Sequence, residues 1–244
     1  MISRNCLFID SDMQEKIKSI SLMFAGCGLG GNIALLATRT GFARFTLFDF
    51  DNVTISNLNR QVFNLDFLSK NKAKSLECII KLINPSSDIT AYSKEFKANH
   101  LRLVKNYDFI INTLDLNDIF YKLIDKTIDE DKTVFIPMNL GFGALLITIN
   151  KKTGPLDDFL KNNKPKSELD FIVSLYKNGM IKMPEYIINK SSELIKKINK
   201  FNPQLAVASN LTSSLIVTNI IKIISDRNYI PPKYNHIDLT EFIK

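Results

Sequence analysis

The chain begins with a rhythm of short apolar runs, each stopped by Gly or Asp. Ile20 to Ala25 is apolar except for Ser21 and ends at Gly26, too short for a helix, so it predicts a buried strand. Asn32 to Thr40 reads as a helix stopped by Gly41, and Arg44 to Phe48 as a second strand ending at Asp49. Asp51 to Asn64 is polar and irregular. Ser69 is then the expected cap of a helix over Lys70 to Ile83, whose apolar positions Ala73, Leu76, Ile80 and Ile83 recur at helical spacing until Asn84-Pro85. Strands follow at Asp88 to Ser93, Tyr107 to Asn112, Thr133 to Met138 and Gly143 to Asn150, with a helix at Asn117 to Thr127. From Lys151 to Pro203 the pattern loosens around Gly154-Pro155, Lys164-Pro165 and Met183-Pro184, with a helix expected at Ser191 to Lys200. A long, mostly apolar helix over Leu205 to Ile224 and a strand at Asn235 to Leu239 close the pattern.

Alternating strands and helices predict an α/β fold: a Rossmann-like, mostly parallel sheet with helices on both faces, a crossover segment and a C-terminal extension of the sheet. At 244 residues and 45% hydrophobic, the chain suits one domain. It divides into an N-terminal segment (1–18), a nucleotide-binding core (19–150), a crossover (151–203) and a C-terminal helix and strand (204–244). No apolar run approaches the length of about 18 residues that a membrane span needs, and the first ten residues lack the features of a signal peptide, so a cytoplasmic location is expected. The three cysteines, Cys6, Cys27 and Cys78, form no C-x-x-C pair, so no structural zinc is expected. Of the net charge of +7, a surplus of five lies between Lys151 and Lys200, where eleven lysines face six acids. That is either a solvated face or a docking surface for an acidic protein or peptide. The chain has no Trp and no RNA-binding or zinc-finger signature, which argues against nucleic acid.

The candidate chemistry starts at Gly26-x-Gly28-x-x-Gly31, between a strand and a helix, where backbone amides can approach phosphates. Asp49 ends the next strand, in position to accept hydrogen bonds from ribose hydroxyls. To this point a nicotinamide enzyme and an ATP enzyme fit equally well. The run Ser56-Asn57-Leu58-Asn59-Arg60-Gln61 favours ATP, because amides and a bidentate guanidinium so near the ribose suit a triphosphate. Lys72, after this run, is a candidate phosphate ligand. Asp115, just past a strand, is a candidate Mg²⁺ ligand. Cys27, inside the loop, reads as a small filler or, at a helix N-terminus, as a thiol sensitive to oxidation.

Together, the glycine loop, the D-x-D-x-V-x-x-S-N-L-N-R-Q run, the K-A and N-P pairs and the strand-end Asp resemble the ThiF/MoeB/HesA family of ubiquitin-activating-like adenylyltransferases. The resemblance covers nearly the whole chain, including Arg4 and Gln14, and in its S-R-N start looks most similar to the members that adenylate the microcin C peptide. It implies ATP and Mg²⁺ as cofactors. Asp49 would bind ribose, with Asp51 in the same nucleotide-binding set as Gly26, Gly28 and Gly31. Asn57, Arg60, Gln61 and Lys72 would hold the phosphates, so that Arg60 and Lys72 grip the triphosphate between them. Asp115 would hold Mg²⁺, and Arg4 would reach the γ-phosphate of the neighbouring subunit in a homodimer. The implied reaction converts the C-terminal carboxylate of a ubiquitin-like sulfur-carrier protein or a ribosomal peptide into an acyl-adenylate. A tRNA substrate enters only through the threonylcarbamoyladenosine dehydratases of the same family, and a non-catalytic scaffold is the other alternative.

Three features depart from the family pattern. Leu29-Gly30 stands where Gly then an apolar residue is usual. Leu116 and Phe120 replace an Asn and an Arg after Asp115. The crossover, Lys151 to Pro203, contains no cysteine, which points to an enzyme that stops at the adenylate without a thioester step.

Overall fold

A computed structural model describes residues 2–160, 164–190 and 203–243. Five strands run parallel: β1 (Ser21–Ala25), β2 (Arg44–Phe48), β3 (Asp88–Tyr92), β4 (Phe109–Asn112) and β5 (Thr133–Leu140). β6 (Gly143–Ile149) turns back antiparallel on β5, and β7 (Tyr234–Asp238) pairs antiparallel with β6. The order is β3-β2-β1-β4-β5-β6-β7. β1, β4, β5 and β6 are buried throughout, as strands covered on both faces must be, and this is why each is mostly apolar, interrupted only by Ser21, Asn112, Thr133, Asn139 and Thr148. The chain runs outward from β1 to β2 and β3 and then crosses back to β4 on the other side of β1, and this reversal of strand order opens a crevice at the carboxyl ends of β1 and β4.

Helices cover both faces. α1 (Ser11–Ser19), α2 (Leu29–Thr40), α3 (Lys72–Ile83) and α8 (Ala206–Ser225) lie on one side, over a core that includes Phe24, Leu47, Phe109, Phe135 and Leu146. α4 (Asp118–Asp129), the short α5 (Asp157–Leu160), α6 (Glu168–Lys177) and α7 (Glu185–Ile188) belong to the other side. α8 is long and apolar enough to cross a membrane by composition, contrary to the sequence reading. Its apolar side is explained by packing: Ala208, Ile216 and Ile220 are fully buried, and the helix lies against α2, β5 and β6.

Several boundaries differ from expectation, each for a local reason. α2 starts at Leu29 rather than Asn32, so Gly30 and Gly31 form its first turn. α3 is capped by Asn71, whose Oδ1 accepts from Lys74 N, and not by Ser69, which turns the chain at φ 63° just before it. α6 was not foreseen. Ser167 caps it, and Phe171, Ile172 and Leu175 face the core. The described crossover is therefore ordered by packing: Leu156, Leu160 and Ile181 join the same core beneath α4, and Tyr121 Oη donates to Pro165 O at 2.6 Å. The helix expected at 191–200 lies outside the described residues.

A second tie fastens α7 to the antiparallel end of the sheet. Tyr186 Oη accepts from Phe142 N at 2.8 Å and donates to Asp238 Oδ2 at 2.7 Å. Gly141 leaves room for it at φ 59°, where any Cβ would lie 2.3 Å from the Tyr186 oxygen. Burial, reinforced by the Asp238 hydrogen bond, pushes the Tyr186 hydroxyl up to about 12. For Asp238, burial opposes ionisation, but hydrogen bonds from Thr240 and Tyr186 outweigh it and hold the carboxyl below its ordinary range. A depressed carboxyl contributes stability above its unfolded pKa, near about 3.9, and loses that contribution as pH falls through the folded value. Tyr186→Phe is therefore expected to cost about 1–2 kcal/mol at pH 7. Urea melts of both proteins across pH 3–7 should show the gap closing at the acid end; a gap independent of pH would mean that Asp238 is not its source.

Candidate nucleotide site

The glycine loop fills the crevice between β1 and β4. Gly26 sits at φ 100°, and a Cβ there would lie 2.4 Å from Thr113 Oγ1 and 2.8 Å from Thr113 O. Only glycine lets the loop approach the end of β4 this closely. Gly30 lies against the same hydroxyl, where a Cβ would stand 3.3 Å away, so the swapped Leu29-Gly30 order puts the small residue at the strand and Leu29 against the apolar core. No side chain caps α2; Gly31 N donates to Cys27 O and Gly28 O, and the Leu29 and Gly30 amides, without a hydrogen bond among the described residues, are left to a ligand.

One flank of the loop is acidic and cationic at once. Asp49 Oδ2 accepts from Cys27 N at 2.7 Å and Oδ1 from Asp51 N at 2.9 Å, so the carboxylate is bound to the loop itself. Burial raises the Asp49 pKa, and these two amide bonds work against the rise. Lys72, buried at the start of α3, meets Asp51 at 2.8 Å. A buried ammonium needs a counter-charge, and Asp51 supplies it. Asn71, which sequence reasoning missed, ties this flank together: its Nδ2 donates to the carbonyls of Asp49 (2.9 Å) and Asp51 (3.1 Å).

The other flank carries the amides and the guanidinium. Gln61 lies against Gly28, with Nε2 3.1 Å from where a Cβ would be. Asn32, one residue beyond Gly31, donates from Nδ2 to Arg60 O at 2.8 Å. Asn57 is buried, and its Oδ1 accepts from Thr54 N to form the turn that carries Arg60. A cavity of about 410 Å³ opens here, bounded among others by Asn32, Arg39, Arg60 and Gln61. Buried oxygens of Asn32 and Gln61 have no hydrogen-bond partner among the described residues. Lys72 is not among the residues that bound this cavity. Lys72 and Arg60 are each held by their own partners, and the glycine loop lies between them.

Asp115 is exposed in the loop after β4, two residues past the Thr113 that touches Gly26. No group of three metal-ligating side chains exists among the described residues. A single exposed carboxylate beside the glycine loop would still suit Mg²⁺, which takes one or two carboxylates with phosphate oxygens and water. Leu116 and Phe120 are absorbed by the core, Phe120 edge-on to Tyr121 at 5.1 Å, so they offer no polar contact at this edge. Cys27 is fully buried, and burial first of all pushes its thiol well above the ordinary value. This is the opposite of an activated cysteine and supports the filler reading.

Arg4 lies away from its own glycine loop. It is exposed in a single turn, Ser3–Asn5, and the neighbouring Asn5 bonds Gln14 Oε1 (3.1 Å) and Thr40 O (3.3 Å) at the far end of α2. Twelve helical residues, about 18 Å, separate that end from the loop. Leu7 and Phe8, 90% and 92% exposed, follow directly.

The fold is that of a Rossmann-like α/β protein, with a glycine loop at the switch between β1 and β4. Residues 2–243 match the ThiF family model, and the chain belongs to the ThiF family. Among curated proteins it is 31% identical over 110 residues to a molybdopterin-synthase adenylyltransferase of Haemophilus influenzae, covering 44% of this chain and 45% of that one. It is 28% identical over 145 residues to the adenylyltransferase and sulfurtransferase MOCS3 of Danio rerio, covering 58% of this chain and 32% of that one. These matches span less than half the length of either relative. Among solved structures, Escherichia coli MccB with a succinimide superposes with a TM-score of 0.70 at 20% identity, over 97% of this chain and 66% of that one. MccB with ATP gives 0.66 at 19% identity, with the same coverage. These likenesses bear out the Rossmann-like sheet. Family membership replaces the nicotinamide reading that the glycine loop and Asp49 had left open.

Proposed function

We propose that the chain is an ATP-dependent adenylyltransferase that activates the C-terminal carboxylate of a peptide or small ubiquitin-like protein. One observation carries the reading: the glycine loop is bound on one side by Asp49 and on the other rests against Gln61, with Lys72 and Arg60 on opposite flanks. A triphosphate laid over the loop would meet amides below and one cation on each side. The names of the relatives agree with this: two are adenylyltransferases, and MccB structures are described with ATP and with MccA.

In this reading Asp49 accepts from the ribose. Asn57 shapes the turn that presents Arg60 and Gln61, and Lys72 exchanges Asp51 for phosphate. Asp115 would hold Mg²⁺, which would neutralise phosphate charge when bound. The substrate carboxylate, already ionised, attacks the α-phosphorus and forms a C–O–P link. The bond from the α-phosphorus to the bridging oxygen breaks, and pyrophosphate leaves with its electron pair. No proton moves, so no general base is needed, and the protein's part is alignment and charge neutralisation. With no cysteine in the crossover, the adenylate is the product handed on. Arg4, turned away from its own loop, would serve the site of a second copy in a homodimer, with Leu7 and Phe8 as apolar contact. A cleft of about 630 Å³ beside α6, edged by Lys164, Lys166 and Lys177, is where the lysine surplus would meet an acidic stretch of substrate.

The test is ATP–pyrophosphate exchange with peptides carrying a free C-terminal carboxylate, each paired with its C-terminal amide. Exchange should occur only with the free acid of a correct peptide. Failure of the protein to bind ATP at all would overturn the reading. ATP binding without exchange across peptide, ubiquitin-like and tRNA substrates would favour the scaffold alternative, which the buried Phe120 recommends.

A further inference from the structure

The Arg60 guanidinium has five N–H donors, and the protein occupies three of them. Nε donates to Gln204 Oε1 at 2.7 Å, and Nη1 donates to Ser56 O at 2.7 Å and to Asn59 Oδ1 at 2.8 Å. Nη2 has no hydrogen bond among the described residues. Gln204 stands 144 positions away in sequence, at the point where the crossover re-enters the fold. It is held in turn: Asn59 Nδ2 donates to its backbone oxygen at 3.3 Å, and α8 begins two residues later. The first turns of α8 are fixed to β5 by a buried network. Asn139 Nδ2 donates to Ser209 Oγ at 2.9 Å, and Thr212 Oγ1 donates to Asn139 Oδ1 at 3.1 Å. An unbroken chain of bonds therefore runs from the central sheet through the start of α8 to the Nε of Arg60. The guanidinium is also partly buried, and burial lowers its pKa while the charge of Glu168 opposes that.

We infer that Gln204 is a positioning residue for ATP, one that belongs to no part of the glycine loop or the Asn57–Gln61 run. Resting on the proposed nucleotide site, it fixes the plane of Arg60 so that the Nη2 edge is left for the β- and γ-phosphates. An arginine on a flexible stem must lose rotamer freedom when it grips phosphate; one already held by Nε has lost it beforehand, and the saving appears as affinity. Because Gln204 directly follows the crossover, the same bond makes the phosphate grip depend on how the substrate-side segment is seated.

The experiment measures the dissociation constants of ATP and of adenosine by titration calorimetry for the full chain, Gln204→Ala, Arg60→Ala and the double variant. Gln204→Ala should weaken ATP about tenfold and leave adenosine unchanged, because adenosine has no phosphate for Arg60 to hold. In the Arg60→Ala background, Gln204→Ala should add nothing. Equal losses for ATP and adenosine would assign Gln204 to fold maintenance and overturn the inference. So would full ATP affinity in Gln204→Ala alongside weakened binding in Arg60→Ala, or additive losses in the double variant. If the unaltered chain binds no ATP, the nucleotide reading itself fails, and this inference with it.

Discussion

Lys72→Ala is expected to lower pyrophosphate exchange by about 10²–10³-fold while moving the urea midpoint little. The rate loss follows from removing a fixed cation beside developing charge in a site partly shielded from water. The stability change is small because the partner is well solvated: Asp51 is 51% exposed, against 10% for the Lys72 side chain, so the stranded carboxylate keeps most of its water. A pair of this kind contributes about 1 kcal/mol or less, and alanine suits the first turn of a helix. The two readouts therefore separate. A parallel collapse of rate and stability would make Lys72 a structural lysine, and full activity would remove it from the site.

The same variant tests the arrangement of subunits. If Arg4 acts across a homodimer, Arg4→Ala and Lys72→Ala are each inactive alone. Mixed dimers would contain one site with both defects and one with neither. Mixing the two proteins should then restore exchange well above the sum of the separate preparations, whereas activity that stays at that sum would place Arg4 outside any shared site.

Gly26→Ala should be the most damaging single methyl group added to this chain. Two costs combine. The backbone sits at φ 100°, which an alanine rarely adopts and which costs about 1–3 kcal/mol. The new carbon would also meet the Thr113 hydroxyl at 2.4 Å and its backbone oxygen at 2.8 Å. The hydroxyl can rotate away, but the carbonyl cannot, since Thr113 N is bonded to Ala25 O beside it. A loss of about 3 kcal/mol or more in urea-measured stability is expected, together with loss of ATP binding. Gly179 is the matched control: it too has positive φ, but a Cβ there would meet nothing within 4 Å. If Gly26→Ala melted like Gly179→Ala, the close packing of loop on β4 would not be what holds the loop in shape.

Much of this architecture was readable because the central strands are buried on both faces and so appear as plain apolar runs, as in Ile20 to Ala25. α1 was hidden because only Gln14 and Ile17 of its nine residues are buried, which leaves no periodicity to see. α6 was hidden by the prolines and lysines on either side of it. At the start of α3, Ser69 and Asn71 are both good caps by composition, and only the left-handed turn at Ser69 decides between them. The motif residues were legible, since the glycines, Asp49 and the Asn57–Gln61 run are contiguous or evenly spaced. Their supports were not. Gln204 reaches Arg60 through a tertiary contact that no local pattern encodes, and the pairing of Lys72 with Asp51 joins residues 21 positions apart that meet only in the folded chain.

The amide of Asn71 joins two pieces of chain that meet only in the folded protein. Its oxygen closes the first turn of a helix, and its nitrogen spans two successive stretches of the loop that carries Asp49 and Asp51. Fraying at the helix entrance would set that loop adrift, and a loop pulled out of place would unwind the helix entrance. Local opening on this flank is thus expected to be a single cooperative event, in which Asp49 and Lys72 leave their places together.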